Sequence, residues 1–348
     1  MVFNSCVYLN WRQGKMKTKI LYTLISSEAD FYLEQALLSV YSLRLYNPNA
    51  YVGLVVDKDT KDSFVGNRSV VYKYFSEIIE ISVPVQYGKM QRSRYLKTNL
   101  RNFVEGDYLF IDCDTIVSGN LDEIDDFHGD IGGVLDAMSP YVSTKYPYWE
   151  DVVRTVGWWG DLNGVPIYNS GVLFVRDNAK TRDFYFQWYK NWIYCGKNYK
   201  IYKDQLPLCK VYSENQEIIE DLAPKWHCQV KGEGFREFPM DTKIIHYYAS
   251  QDKMKFFFYD IEKDSILARV KISPDIPDDI KMDIQNPYPL FAEKKLVVHG
   301  NQFEFMQSGM YEIYQDYPGF FRFLLQIGAL YRKIITSLYN VKHGKSIQ

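Results

Sequence analysis

Apolar and polar positions along this chain follow two periods that take turns. Lys19–Ser26, KILYTLIS, is a compact run of branched and aromatic residues and predicts a buried first strand. After a polar loop, SSEAD, the stretch FYLEQALLSVYSLRLYN repeats its apolar residues at helical spacing and stops at Asn47 and Pro48. AYVGLVVD predicts a second strand, and YFSEIIEISV continues the alternation. RSRYLKTNLRNF reads as a helix with a basic face, and DYLFIDCD as the next strand. Two more strand-like runs follow, DIGGVLDA and IYNSGVLFVRD. The series closes with a long aromatic helix, TRDFYFQWYKNWIYC, a helix in YKDQLPLCKVY with Asp204 near its start, and a short strand in TKIIHYYAS ending around His246.

Strands that alternate with helices predict the α/β class, with one mostly parallel, Rossmann-like sheet flanked by helices. Ligands of such sheets bind beyond the carboxyl ends of the strands, and Asp112 and Asp114 stand at such an end. Three parts are expected. Residues 1–15 read as a disordered extension, because MKTKILYTLIS, from Met16, resembles the start of a folded domain. Residues 16–255 form the α/β domain. Residues 256–348 are more polar and Pro-containing at first, and end in an aromatic, aliphatic segment. That segment carries Arg322, Arg332, Lys333, Lys342 and Lys345 and no acid after Asp316. A basic amphipathic helix over 318–345 can lie in an anionic membrane interface. Packing of its apolar side on the main domain is the alternative.

Composition narrows the function. A length of 348 residues allows one large domain with an addition, and a net charge of -2 gives no reason for nucleic acid as partner. The five cysteines are scattered, with no CxxC pair, which argues against a disulfide framework or zinc cluster and for a reducing cytosol. The aromatic share of 17% suits stacking on sugars or bases as well as a Tyr-rich core. No stretch is long and apolar enough to span a bilayer.

The chemistry concentrates in YLFIDCDTIVSGNL, Tyr108–Leu121. Two carboxylates one residue apart on extended chain point the same way and resist joint ionisation, a conflict that a divalent cation with oxygen ligands removes. Such an ion bridges nucleotide phosphates and neutralises a diphosphate leaving group. LFIDCDTIV also approaches the haloacid-dehalogenase signature of phosphatases and phosphotransferases. Ile116 breaks that match, the motif lies late in the chain, and no GDxxxD pattern follows.

With its neighbours, the motif resembles the DxD of the retaining glycosyltransferase family 8, the group of glycogenin and the lipopolysaccharide galactosyltransferases. YLEQALLSV, RYLKTNL, IYNSGVLFV, KDQLPL and IIHYYAS are similar to further segments of that family in the same order, over roughly Lys19 to Lys255. The resemblance implies a GT-A fold and transfer of galactose or glucose from a UDP-sugar to a glycan or lipid-linked saccharide. The setting it implies is lipopolysaccharide, capsule or other surface-polysaccharide synthesis, in the cytoplasm or on the inner membrane face. A catalytically inactive sugar-nucleotide binder is the other alternative.

Carried over residue by residue, the resemblance makes Asp112, Asp114 and His246 ligands of manganese, with magnesium as a substitute. It gives donor contacts to Thr23, Leu24, Ser26, Lys97, Asp112, Cys113, Asp114, Asn169, Ser170, His246 and Lys253. Cys113 is expected to turn its side chain to the core. Lys97 stands where the family often has Arg, with Arg94 one turn earlier able to share the role, and Gly171 would permit close backbone approach. Asp204 would bind sugar hydroxyls, and Gln205 would face the anomeric carbon. With no strong carboxylate nucleophile there, Gln205 would stabilise an oxocarbenium-like state in front-face retention, with a role as nucleophile the alternative.

The chain departs from the family pattern in three places. The acid that reads uracil after strand 1 is replaced by Ser26-Ser27-Glu28. HYYASQDK lacks the family glycine and places Lys253 one residue late, with Lys255 as substitute. Leu206 replaces the last acid of D-Q-D. Trp158 and Trp159 read as a sugar platform or a buried anchor, and KWHCQ, with Trp226 and His227, as an acceptor-side segment. His128, His299 and His343 read as surface residues.

Overall fold

The computed structural model describes residues 16–136, 154–158, 166–215, 217–230, 236–239, 241–247, 264–288, 295–298 and 308–342. The extension 1–15, Trp159, Lys253, Lys255, His299 and His343 lie outside them.

Seven strands build the main sheet: β1 Lys19–Leu24, β2 Val52–Val56, β3 Glu77–Glu80, β4 Tyr108–Ile111, β6 Ile131–Leu135, β7 Tyr168–Val175 and β8 Ile219–Asp221. Their order is β3-β2-β1-β4-β7-β6-β8. All run parallel except β7, which lies antiparallel to both β4 and β6. A second sheet orders β5 Thr115–Val117, β11 Ile244–His246 and β9 Cys228–Gln229. β10 is Arg236–Pro239.

The helices explain why the strands read as unbroken apolar runs. On one face of the sheet, α1 (Tyr32–Tyr46) packs Leu33, Ala36, Leu37 and Val40 with Ile20, Tyr22, Leu109 and Ile111. On the other face, α2 (Lys89–Thr98), α3 (Ala179–Tyr199) and α4 (Gln205–Glu214) bring Leu96, Phe184, Trp188 and Leu208 onto Leu21, Phe110 and Leu173. Successive residues of β4 thus serve opposite cores, as the two-residue period of a strand requires. Asn178 caps α3, its side chain accepting from Thr181 N at 3.0 Å.

Helix α1 is buried along ten of its residues, including Ser39 and Ser42. Those two hydroxyls dock the second sheet. Ser39 Oγ lies 2.7 Å from Thr115 Oγ1, and Ser42 Oγ accepts from Val117 N at 2.8 Å. The helices α5 (Asp264–Ile272) and α6 (Asp278–Gln285) add Leu267, Val270 and Ile280 to the same core, and Lys271 donates to Asp30 O at 2.8 Å. The chain divides into two compact units between Val297 and Val298. The second unit carries α7 (Gly309–Asp316) and α8 (Pro318–Lys342). Among the described residues no helix is long and apolar enough to cross a membrane.

Candidate active site

The two acids do not extend a strand as the sequence suggests. Strand β4 ends at Ile111 and the chain bends through Asp112–Asp114 into β5 of the second sheet. The bend forms because Asp112 N still finds the β7 partner, Gly171 O at 2.8 Å, while Thr115 Oγ1 folds back onto Asp112 O at 2.9 Å. Cys113 turns away from the acids as expected, its thiol donating to Thr23 O at 3.5 Å beside the core. Desolvation, with the neighbouring Asp112 and Asp114 charges, pushes that thiol well above its ordinary pKa.

Strand register brings the histidine to the two acids. His246 pairs with Thr115 across the antiparallel β11–β5 ladder, and Tyr247 N donates to Asp114 O at 3.1 Å. Its Nε2 then lies 3.2 Å from Asp114 Oδ1. Gly171 is the close approach the sequence foresaw, and what approaches is His246. A Cβ there would sit 2.5 Å from the imidazole Cε1. The other imidazole nitrogen, Nδ1, meets His227 Nε2 at 2.7 Å. His227 is fully buried, so KWHCQ presents this side chain to His246.

Donor atoms of Asp112, Asp114 and His246 lie within 4.8 Å of one another. Metal–ligand bonds of about 2.0–2.3 Å let donors about 4.5 Å apart share one ion, so small side-chain rotations suffice. Two carboxylates and an imidazole suit manganese or magnesium better than a thiolate-seeking metal. Burial and the Asp114 charge hold Asp112 above its ordinary carboxyl pKa despite Lys97, whereas at Asp114 burial is outweighed by His246 and the value falls. One site thus carries an acid that resists ionisation beside one that does not, which a shared cation would reconcile.

Lys97 is buried. It is 4% exposed, donates to Asp112 Oδ1 and Oδ2 at 3.0 and 2.9 Å, and lies 3.5 Å from Asp204 Oδ2. Arg94, one turn earlier on α2, reaches Asp204 Oδ1 at 2.8 Å, and Ser170 Oγ donates to Asp204 Oδ2 at 2.8 Å. Asp204 stands at the N-terminus of α4 yet makes no capping hydrogen bond with its side chain. Burial opposes its ionisation, but Lys97, Arg94 and Ser170 hold the carboxyl far below the usual range. Gln205 follows it with a buried amide nitrogen that has no hydrogen-bond partner among the described residues. Such an atom costs stability unless a ligand completes it.

Asn169 accepts from Gly171 N at 2.9 Å and donates to Asp136 Oδ1 at 2.7 Å, so DIGGVLDA contributes a carboxylate that the sequence reading took only as a strand end. The loop after β1 is tied internally. Ser26 Oγ donates to Asp30 Oδ1 at 2.8 Å and accepts from Arg68 at 3.0 Å, and Lys89 pairs with Asp30. Leu24 is buried, and Thr23 is half-buried one strand over from Asp112. Trp158 packs along Tyr194, with ring centroids 6.0 Å apart. His128 is exposed, as expected.

Comparison with solved structures returns distant likenesses. Mouse xyloside xylosyltransferase 1 is 14% identical with a TM-score of 0.46, over 67% of this chain and 98% of that one. The galactosyltransferase LgtC, solved with donor and acceptor sugar analogs, is 12% identical with a TM-score of 0.47, over 73% and 95%. The glycosyltransferase GlyE of Streptococcus pneumoniae TIGR4 is 13% identical with a TM-score of 0.46, over 79% and 65%. A comparison with curated proteins returns no match. The sequence model described as glycosyl transferase family 8 matches residues 24–256, a span that takes in the corner acids, Lys97, Asp204 and His246, and that sets aside the phosphatase reading of the same motif. The chain belongs to glycosyltransferase family 8.

Proposed function

We propose that the protein is a retaining hexosyltransferase that moves galactose or glucose from a UDP-sugar to a glycan or lipid-linked saccharide. The observation that carries this reading is the convergence of Asp112, Asp114 and His246 at a corner whose Lys97 also touches Asp204. A divalent cation, manganese or magnesium, would be held by those three residues and would supply positive charge to the diphosphate as it leaves.

The chain's own groups do the rest. Lys97 neutralises Asp112 and orients it. Asp204 has both oxygens engaged by Arg94, Lys97 and Ser170, which makes it a poor nucleophile and a firm acceptor for a sugar hydroxyl. Double displacement through Asp204 is therefore disfavoured. The acceptor oxygen bonds to the anomeric carbon on the face from which the diphosphate departs, and its proton passes to the departing diphosphate oxygen. Gln205 offers its amide to the oxocarbenium-like state. Asn169, Ser170 and backbone at Thr23 and Leu24 would border the donor, with Lys253 at the diphosphate.

A screen of UDP-sugars with Mn²⁺ tests this, followed by NMR of the product anomer. The expected result is turnover of a UDP-hexose with the donor's anomeric configuration kept. An inverted product would sink retention, and no turnover of any nucleotide sugar would leave only a binding protein.

The same proposal places the enzyme in the cytoplasm, at the inner face of a membrane where surface polysaccharide is assembled. Helix α8 supports this. Phe320, Phe323, Ile327, Tyr331, Ile334 and Ile335 recur at three- and four-residue steps and are about half exposed, while Arg322, Arg332 and Lys333 fall on the other side of the helix. The double variant Arg332→Glu/Lys333→Glu should bind phosphatidylglycerol vesicles at least about tenfold more weakly in sedimentation, at about 1 kcal/mol per basic residue. Unchanged binding would refute the membrane contact.

A further inference from the structure

His227 is placed to do more than fill the core. It immediately precedes β9, which runs parallel to β11, and the pairing of Ile245 with Cys228 sets the two histidines side by side. Their rings lie within 15° of parallel, with centroids 5.0 Å apart and Nε2 of His227 at 2.7 Å from Nδ1 of His246. A nitrogen–nitrogen contact that short between near-parallel rings is an edge-to-edge hydrogen bond and not a face-to-face stack.

The direction of that bond follows from the work of His246. An imidazole that ligates through Nε2 must offer a lone pair there and carry its proton on Nδ1. The Nδ1–H then needs an acceptor, and metal-bound histidines usually give this proton to a carboxylate or a backbone carbonyl. Here the group in reach is a second imidazole, fully buried. Gly171 closes a further side of the His246 ring, since even a Cβ there would overlap Cε1. The ring is thus fixed by Asp114, His227 and the Gly171 backbone together.

We infer that His227 is a positioning residue, which accepts the Nδ1–H of His246, locks its tautomer and aims its Nε2 lone pair at the space shared with Asp112 and Asp114. Cation affinity then depends on a residue that never touches the cation. This rests on the cation reading of the corner given under Proposed function.

The test titrates Mn²⁺ alone, without nucleotide, into the full chain and reads free Mn²⁺ by electron paramagnetic resonance. His227→Phe keeps the buried ring but accepts no hydrogen bond, and should weaken Mn²⁺ binding by about 10- to 100-fold. His227→Gln, whose side-chain oxygen reaches as far as Nε2, should restore most of the affinity. Melting in metal-free buffer separates a packing role, which would lower the midpoint of His227→Phe yet leave the affinity of the folded protein intact. If His227→Phe does not fold, His227→Asn takes its place, because its amide is too short to reach His246. Equal Mn²⁺ affinity in wild type and His227→Phe overturns the inference, and so does a Gln variant as weak as Phe. A wild-type chain that binds Mn²⁺ no better than Asp114→Asn instead overturns the cation site itself.

Discussion

Replacing Asp114 with Asn should cut metal-dependent turnover of the sugar nucleotide by about 100-fold or more, the several kcal/mol that charge on the leaving diphosphate is worth. The substitution is close to isosteric. An amide in place of the carboxylate can still meet His246 Nε2, which lies 3.2 Å from Asp114 Oδ1 in the wild type. The β11–β5 ladder does not depend on the side chain, since Tyr247 N bonds the Asp114 carbonyl. The fold should therefore survive, and circular dichroism should match wild type. What is lost is one anionic oxygen of the three-donor set. The loss should be partly recovered at high Mn²⁺, because Asp112 and His246 still converge. Equal turnover in wild type and variant, at any metal concentration, would show that the corner holds no working cation.

The second large effect belongs to Lys97→Met. The ammonium is almost fully buried between Asp112 and Asp204, and methionine fills similar volume without charge. Asp204 keeps Arg94 and Ser170, but Asp112 loses its ammonium partner and keeps Asp114 nearby. Removing one partner of a buried pair costs about 3–5 kcal/mol because the other charge stays behind. Asp112 is 28% exposed, so the lower end applies. A loss of about 3 kcal/mol corresponds to a fall in melting temperature of roughly 5–10 °C for a domain of this size. Mn²⁺ should restore part of that fall and raise the variant's melting temperature more than it raises the wild type's, since the ion supplies the missing charge. A variant that melts like wild type in metal-free buffer would show that Lys97 is not neutralising the acids.

How far the site could be read from the chain depended on the span of each contact. The DxD pair, His246 after KII, Asn169-Ser170-Gly171 and Asp204-Gln205 stand in short segments whose residue types declare themselves, and the folded chain brings Asp112, Asp114 and His246 together. Lys97 was visible as part of a basic helix face, but its partners were not. Asp112 is 15 residues away and Asp204 more than a hundred, and only the packing of α2 against β4 and α4 decides that one ammonium serves both. His227 stood in KWHCQ, a segment that reads as acceptor-side, and nothing local to it pointed to His246. Asp136 closed an ordinary strand.

Local sequence determined the order of strands and helices, because period-two and helical apolar patterns act within a few residues of themselves. It also determined the chemical types at the strand ends. The tertiary structure alone decided that β7 runs against its neighbours, that the acids occupy a bend between two sheets, and that His246 is held between Asp114, Gly171 and His227. Those outcomes are set by strand register and helix packing between distant segments. No periodicity within one segment encodes which remote partner it will meet.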